Sequence, residues 1–378
     1  MSHKLFRTLL TTLLLAVVVT GLLGVVPAAK AQDKVIVGLS FSDFATERWK
    51  NEEILMRGLL EEKGYEVLSA EANQDVKLQN DQIDNMVAQG AKALIIIAQD
   101  GDAIVTSVDK AADAGVLVVA YDRLIKSPKI AAYLSFNNVE VGRQQGLGVL
   151  KALGFDVEAE EPTATDKWTK ENPVKLVKLG GSITDNNAIL FRQGQDEVVM
   201  PYVEAGLITV VADQWVENWD AANALKLMEN ILTAQANAVD AVVASNDGTA
   251  LGALQALKAQ QLAGIVPISG QDATADGCNS IVKGELTVSI LKDIRNLSPL
   301  AVDLTDKLLK GEEVEGLKEY TMAELTNNKD AEGNVMAYFL PVEQVNKDNV
   351  YDLVVKSAFQ AYDDVYRDIP ENERPPKP

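Results

Sequence analysis

Residues 93–123 read ALIIIAQDGDAIVTSVDKAADAGVLVVAYDR. The stretch opens on an unbroken apolar run, Ala93-Leu94-Ile95-Ile96-Ile97, and closes on a second run over 116–121. Between them, 103–114 carries its apolar residues at helical spacing. A strand that is apolar on both faces must be covered on both faces. A helix between two such strands is the crossover of a parallel pair. The stretch therefore predicts an α/β fold with helices on both sides of a parallel sheet.

The same alternation extends in both directions. Upstream, 35–39 and 65–69 read as strands, and 47–63 and 75–89 as helices that stop at Gly64 and Gly90. Downstream the rhythm restarts. Strands are expected over 174–179, 208–212, 241–244 and 266–269, and helices over 188–204, 221–235, 249–260 and 273–283. Two successive runs of similar size predict two doubly wound parallel-sheet lobes, with the break near 135–138. The polar stretch 156–172 reads as a surface loop. The charged, Pro-rich tail 363–378 reads as disordered.

The chain has 378 residues, with 55 acidic and 35 basic side chains and a formal charge of -20. Its start is basic, 8–26 is apolar, Pro27 breaks the run, and Ala29-Lys30-Ala31 precedes Gln32. This is the pattern of a secretory signal peptide over 1–31, the alternative being an uncleaved membrane anchor. No Cys stands at the cleavage site to take a lipid. Residues 1–31 contain Lys4, Arg7 and Lys30 and no acid, so the rest of the chain carries -23. Such a chain repels nucleic acid and anionic lipid and sets up no field for a phosphorylated ligand, which favours a neutral one. The only His is His3, inside the signal, and the only Cys is Cys278. The mature chain thus has no imidazole for acid–base chemistry or metal ligation, no intrachain disulfide and no thiolate cluster. Cys278 reads as a small core residue, and no cofactor or metal is expected.

Ligand sites in open parallel sheets lie beyond the carboxyl ends of the strands. Those ends are followed here by Asp43 and Glu47-Arg48-Trp49, by Asp122-Arg123, and by Asp185-Asn186-Asn187 with Arg192. The later ones are followed by Asp213-Gln214-Trp215, Asn246-Asp247 and Gln271-Asp272. Carboxylate and amide oxygens accept hydrogen bonds, while guanidinium and amide nitrogens donate them. Sugar hydroxyls do both, and the C–H faces of a pyranose pack on flat indoles. Trp49 and Trp215 are expected to supply one indole from each lobe. Plainer roles exist for several of these residues. Asp213 and Asp247 would serve equally as helix caps, Asp122-Arg123 as a surface ion pair, and Arg192 as a solvated helix residue. Trp168 and Trp219 read as structural. Paired acids also occur in glycosidases.

Across almost the whole mature chain these segments resemble the ribose/galactose-type periplasmic sugar-binding family, and within it the D-xylose receptors of bacterial ABC importers. The resemblance rests on Glu47-Arg48-Trp49, Tyr121-Asp122-Arg123, Asp185-Asn186-Asn187-Ala188, Leu190-Phe191-Arg192, Asp213-Gln214-Trp215-Val216, Ser245-Asn246-Asp247 and Gly270-Gln271-Asp272, in that order. It implies that Arg48, Asp122, Arg123, Asn187, Arg192, Asn246, Asp272 and Lys292 hydrogen-bond the sugar. Trp49 and Trp215 would stack on it, and Asp185 would support the pocket. Around the lysine, Ile290-Leu291-Lys292-Asp293 replaces the family's Val-Tyr-Lys-Pro. The implied fold is a type I periplasmic binding protein with a three-strand hinge. Its N-terminal lobe would be 34–137 plus 292–325, and its C-terminal lobe 138–291 plus 326–378. The implied function is a monomeric, exported, non-catalytic receptor that delivers D-xylose or a similar aldopyranose to an ABC permease. The other classes to weigh are an exported carboxylate-dependent carbohydrate-active enzyme and an aldose receptor coupled to chemosensing.

Overall fold

The computed structural model describes residues 34–378, so the expected signal segment 1–31 lies outside the described residues. The chain begins with β1 (Ile36–Phe41), α1 (Glu47–Glu62), β2 (Glu66–Glu71), α2 (Val76–Ala88), β3 (Ala93–Ile96), α3 (Val105–Asp113), β4 (Leu117–Tyr121) and β5 (Ala132–Phe136). It continues through α4 (Asn138–Ala152), β6 (Val174–Gly180), α5 (Asn186–Glu204), β7 (Ile208–Trp215), α6 (Ala221–Ala234), β8 (Ala241–Ala244), α7 (Asp247–Ala259), β9 (Ser269–Gln271), α8 (Ala275–Val282) and β10 (Val288–Leu291). It ends with α9 (Ile294–Lys310), β11 (Lys318–Thr321), α10 (Met322–Thr326), β12 (Asn334–Leu340), β13 (Glu343–Val345) and α11 (Tyr362–Val365).

The first lobe is a seven-stranded sheet in the order β11-β12-β5-β4-β3-β1-β2, parallel except for the β11–β12 pair. Alternate residues of each strand feed two separate cores. Leu39, Ile95, Val119 and Leu134 pack with Trp49, Met56 and Leu60 of α1 and Leu297 and Ala301 of α9. Leu94, Ile96, Val118 and Tyr133 pack with Ile83 of α2 and Val108 of α3. Each buried aliphatic contributes about 1.5–3 kcal/mol, which is why both faces require helices. In the second lobe, β7-β6-β8 and β13-β10-β9 form two three-stranded sheets. A parallel bridge from Val242 to Ile268 runs them together as one layer. Helices α4 and α5 approach closely there. A Cβ on Gly142 would lie 1.9 Å from the Phe191 carbonyl, and one on Gly194 1.9 Å from that of Val139. Cys278 sits in this lobe's core, where burial raises its thiol pKa.

The chain passes between the lobes at β5 to α4, at β10 to α9 and at β12 to β13, and the first and third passages are joined by Asn137 N–H to Leu340 O at 3.0 Å. The third passage differs from the expected boundary at 325/326. Ala337, Tyr338, Phe339 and Leu340 pair with β5, so 326–340 belongs to the first sheet. The tail also differs. Tyr362 and Tyr366 pack together, Val365 is buried in the second lobe's core, and Arg367 pairs with Asp276. Charge and Pro content suggested disorder, but these apolar side chains find a core to enter. The 156–172 stretch is mostly exposed and is pinned by buried Trp168, whose indole N–H donates to Leu153 O. No helix among the described residues is long and apolar enough to cross a membrane.

Candidate functional site

The strand ends of both lobes converge on one cavity. Arg48 and Trp49 reach it from the first turn of α1, and Asp122 and Arg123 from the end of β4. Asp185 and Asn187 come from the start of α5, Asn246 from the cap of α7, Gln271 and Asp272 from the end of β9, and Lys292 from the end of β10. The local turns make this possible. Asp122 and Asp272 adopt left-handed backbone, with φ of 58° and 94°, and so turn off their strands. Asp185 and Asn246, rather than the Asp213 and Asp247 weighed as caps, cap helices, accepting from Asn187 N–H at 2.9 Å and Thr249 N–H at 2.8 Å, and they line the cavity as well.

Asp122 is the hub. Its Oδ2 takes Lys292 Nζ at 2.7 Å and Arg48 Nη1 at 3.1 Å, while Oδ1 takes Asn187 Nδ2 at 3.0 Å. Burial alone would raise this carboxyl, but the Arg48 and Lys292 charges outweigh burial and hold it at about 2. Arg48 is held from behind by Glu52, whose Oε1 accepts from its Nε at 2.8 Å and its Nη2 at 2.5 Å. Burial pushes Glu52 up to about 7, although Arg48 pulls the other way. Arg48 Nη1 also reaches Asp272 Oδ1 of the other lobe at 3.4 Å.

Asp122 and Arg123 are not a surface pair. Both are buried, and Arg123 binds elsewhere, to Asp185 Oδ2 at 3.0 Å and Ala98 O at 3.1 Å. Burial raises Asp185, opposed by Arg123. Asp247 lies beneath the cavity and knits strand ends together. It accepts from Ser289 Oγ at 2.7 Å and from the Thr274 amide at 2.8 Å, and burial pushes it up to about 7.

Arg48, Arg123 and Lys292 face Asp122, Asp185 and Asp272, three cations against three anions. Flat side chains, Trp49, Phe191 and Trp219, complete the wall. The indole N–H groups of Trp49 and Trp219 and the amide oxygen of Gln271 have no protein partner. The cavity is therefore charge-balanced, aromatic, and supplied with both donors and acceptors.

Two expected residues lie beside the cavity. Strand β7 continues to Trp215, which still pairs with Gly180. Its indole stacks under the Arg192 guanidinium at 4.4 Å, and Arg192 bonds Asp213. The strand is longer than the expected 208–212, so the turn that enters the site comes later. Asn218 and Trp219, with φ of 56° and 59°, bend the chain back. Trp219 then presses on Gly181, where an added Cβ would lie 1.9 Å from the ring. Thr46, Phe191 and Trp219 line the cavity without having been expected there, and Gln271, named among the strand-end residues but given no role, joins them. Phe191 was detectable, since it stands one helical turn after Asn187, on the same face.

The periplasmic binding protein domain matches residues 37–313. The D-xylose-binding periplasmic protein of Haemophilus influenzae is 39% identical over 330 residues, covering 87% of this chain and 92% of that one. That of Escherichia coli is 39% identical over 356 residues, covering 94% and 97%. An ABC transporter solute-binding protein from Clostridium phytofermentans, solved with bound β-D-glucose, superposes with a TM-score of 0.76 at 31% identity, covering 87% and 99%.

Proposed function

This chain belongs to the periplasmic binding protein family, and from that premise we propose that it is a receptor that closes on D-xylose and passes it unchanged to an ABC permease. The observation that carries this reading is the balanced wall of three cations and three anions beside flat aromatics. A net-charged ligand would leave one sign of buried wall charge uncompensated, at high cost in a dry cavity. A neutral polyol compensates both signs, because each hydroxyl donates and accepts. Its apolar C–H faces suit Trp49 and Trp219. The names of the D-xylose-binding relatives point to a pentose.

The same geometry argues against turnover. Glycoside hydrolysis needs a carboxylic acid that keeps its proton at neutral pH beside a second carboxylate. Asp122, which lines the cavity, is held ionised by Arg48 and Lys292, and the two acids pushed up to about 7, Glu52 and Asp247, do not line it. Closure of the lobes about the three passages between them would trap the sugar, a population shift set by contacts with both lobes. Export follows from the signal pattern, with the mature chain starting near Gln32.

Incubation with labelled D-xylose, gel filtration and denaturation of the complex tests this function. The reading expects stoichiometric retention and recovery of intact xylose. Conversion of the sugar, or no retention, overturns it.

A further inference from the structure

The backbone carries an unusual pairing at the mouth of the cleft. Asn73 and Gln74 of the first lobe have φ of 47° and 64°, and Asn218 and Trp219 of the second have 56° and 59°. Left-handed backbone in non-Gly residues persists where surrounding structure enforces it, and it concentrates at functional elements. Here the two pairs touch. Gln74 Nε2 donates to Asn218 O at 3.4 Å, and Gln99 Nε2 donates to Asn218 Oδ1 at 3.2 Å. Gln99 stands on a fixed platform. Its own N–H donates to Gln79 Oε1 at 2.9 Å, and the buried Gln79 donates to Ile97 O at 2.8 Å and Ser40 Oγ at 3.2 Å. A neighbouring bond from Gly101 N–H to Thr184 O, at 3.3 Å, spans the same gap.

Asn218 thus holds two positions at once. Across the cleft it is gripped by first-lobe amides, and along the chain it precedes Trp219, which walls the cavity. Gln74, Gln99 and Asn218 themselves do not line that cavity, so they have no direct means of telling one sugar from another.

We propose that Asn218, gripped by Gln99 and Gln74, is the latch of the closed state: it sets how long any bound sugar is held and fixes Trp219 against it, without selecting which sugar binds. The latch is a positioning element and rests on the sugar-receptor reading above. Its bonds break when the lobes separate, so losing one speeds opening and release. Association, which begins from the open form, stays close to native.

Stopped-flow measurement of D-xylose release, with D-glucose as a second ligand, tests the latch. Native protein is measured first, and failure of native protein to bind either sugar overturns the receptor reading itself. Given native binding, Asn218→Gly keeps the left-handed backbone and the carbonyl that takes Gln74 but removes the Oδ1 that takes Gln99, and Gln99→Leu removes that bond's donor. Each should speed xylose release about threefold to tenfold, the scale of one neutral hydrogen bond. The double variant should be no faster than the faster single. Asn218→Asp keeps an acceptor and should stay within about twofold of native, on the same scale. The ratio of xylose to glucose affinity should be unchanged throughout. Native release rates in both single variants, additive effects in the double, or a shifted sugar ratio would overturn the latch while leaving the receptor reading intact.

Discussion

Trp219 and Trp215 give a sharp internal contrast. They are four residues apart, and only Trp219 faces the cavity. A buried Trp covers about 150–250 Å² in all, so one face of the ring offers a sugar roughly 80–100 Å². At about 25 cal/mol per Å² that face contributes about 2–2.5 kcal/mol, or roughly 30- to 70-fold in affinity. Trp219→Ala should therefore raise the Kd for D-xylose by about that factor. Part of the loss appears without sugar, because the indole also meets Phe191 edge-on at 6.2 Å and covers Gly181. The apo melt should fall slightly. Trp215→Ala removes the ring beneath Arg192, at 4.4 Å. It should lower the melting temperature and leave Kd within about twofold, since it strips no cavity surface. Titration calorimetry of both variants, beside thermal melts without ligand, reads the contrast. Equal losses of affinity, or a larger loss from Trp215→Ala, would refute the assignment of the indoles.

Asp122→Asn should lower xylose affinity at least about tenfold and also lower the apo melt, because the carboxylate neutralises Arg48 and Lys292 in the buried wall. An unchanged melt would contradict the hub. Arg123→Met should cost at least about tenfold in calorimetry too, by leaving Asp185 buried without its 3.0 Å partner; native affinity would remove Arg123 from the site. Stability should fall as pH rises. Glu52 and Asp247 reach about 7 in the folded protein, against ordinary values of 4.5 and 3.8. The folded state therefore holds their protons more tightly. Their contribution is complete below about pH 4 and is lost as pH climbs through 7. Asp122, at about 2 against 3.8, acts oppositely, and its contribution fades only as pH falls below 3.8. The apo melting temperature should thus be higher at pH 5 than at pH 8, and Glu52→Gln should narrow the gap. A melt that rises from pH 5 to pH 8 would contradict the burial of these acids.

The fold was legible because parallel strands covered on both faces are continuous apolar runs, as in Ala93-Leu94-Ile95-Ile96. Strand ends such as Tyr121-Asp122-Arg123 were legible for the same reason, since the polar residues begin where the apolar run stops. What escaped depended on where an element stops or turns. Trp215 stands outside the cavity wall because β7 runs on to that residue, and only the left-handed Asn218 and Trp219 mark the later turn. Arg192 lies five residues after Asn187 on α5, one position past the same-face spacing that places Phe191 in the wall. Around Lys292 the change from the family's pattern is local. Asp293 caps α9, accepting from Arg295 N–H at 3.0 Å, while the lysine keeps its bond to Asp122. The tail was misread from composition because a few residues, Tyr362, Val365 and Tyr366, decide its packing.

Calorimetric titration of the chain from Gln32 onward with D-xylose, D-glucose, L-arabinose and D-ribose tests the central claim most directly. The charge-balanced cavity between the lobes predicts one sugar per chain, with D-xylose the tightest of the four and the heat abolished in a variant carrying both Asp122→Asn and Trp219→Ala. An absence of heat with all four sugars, or native binding by that double variant, would contradict the account.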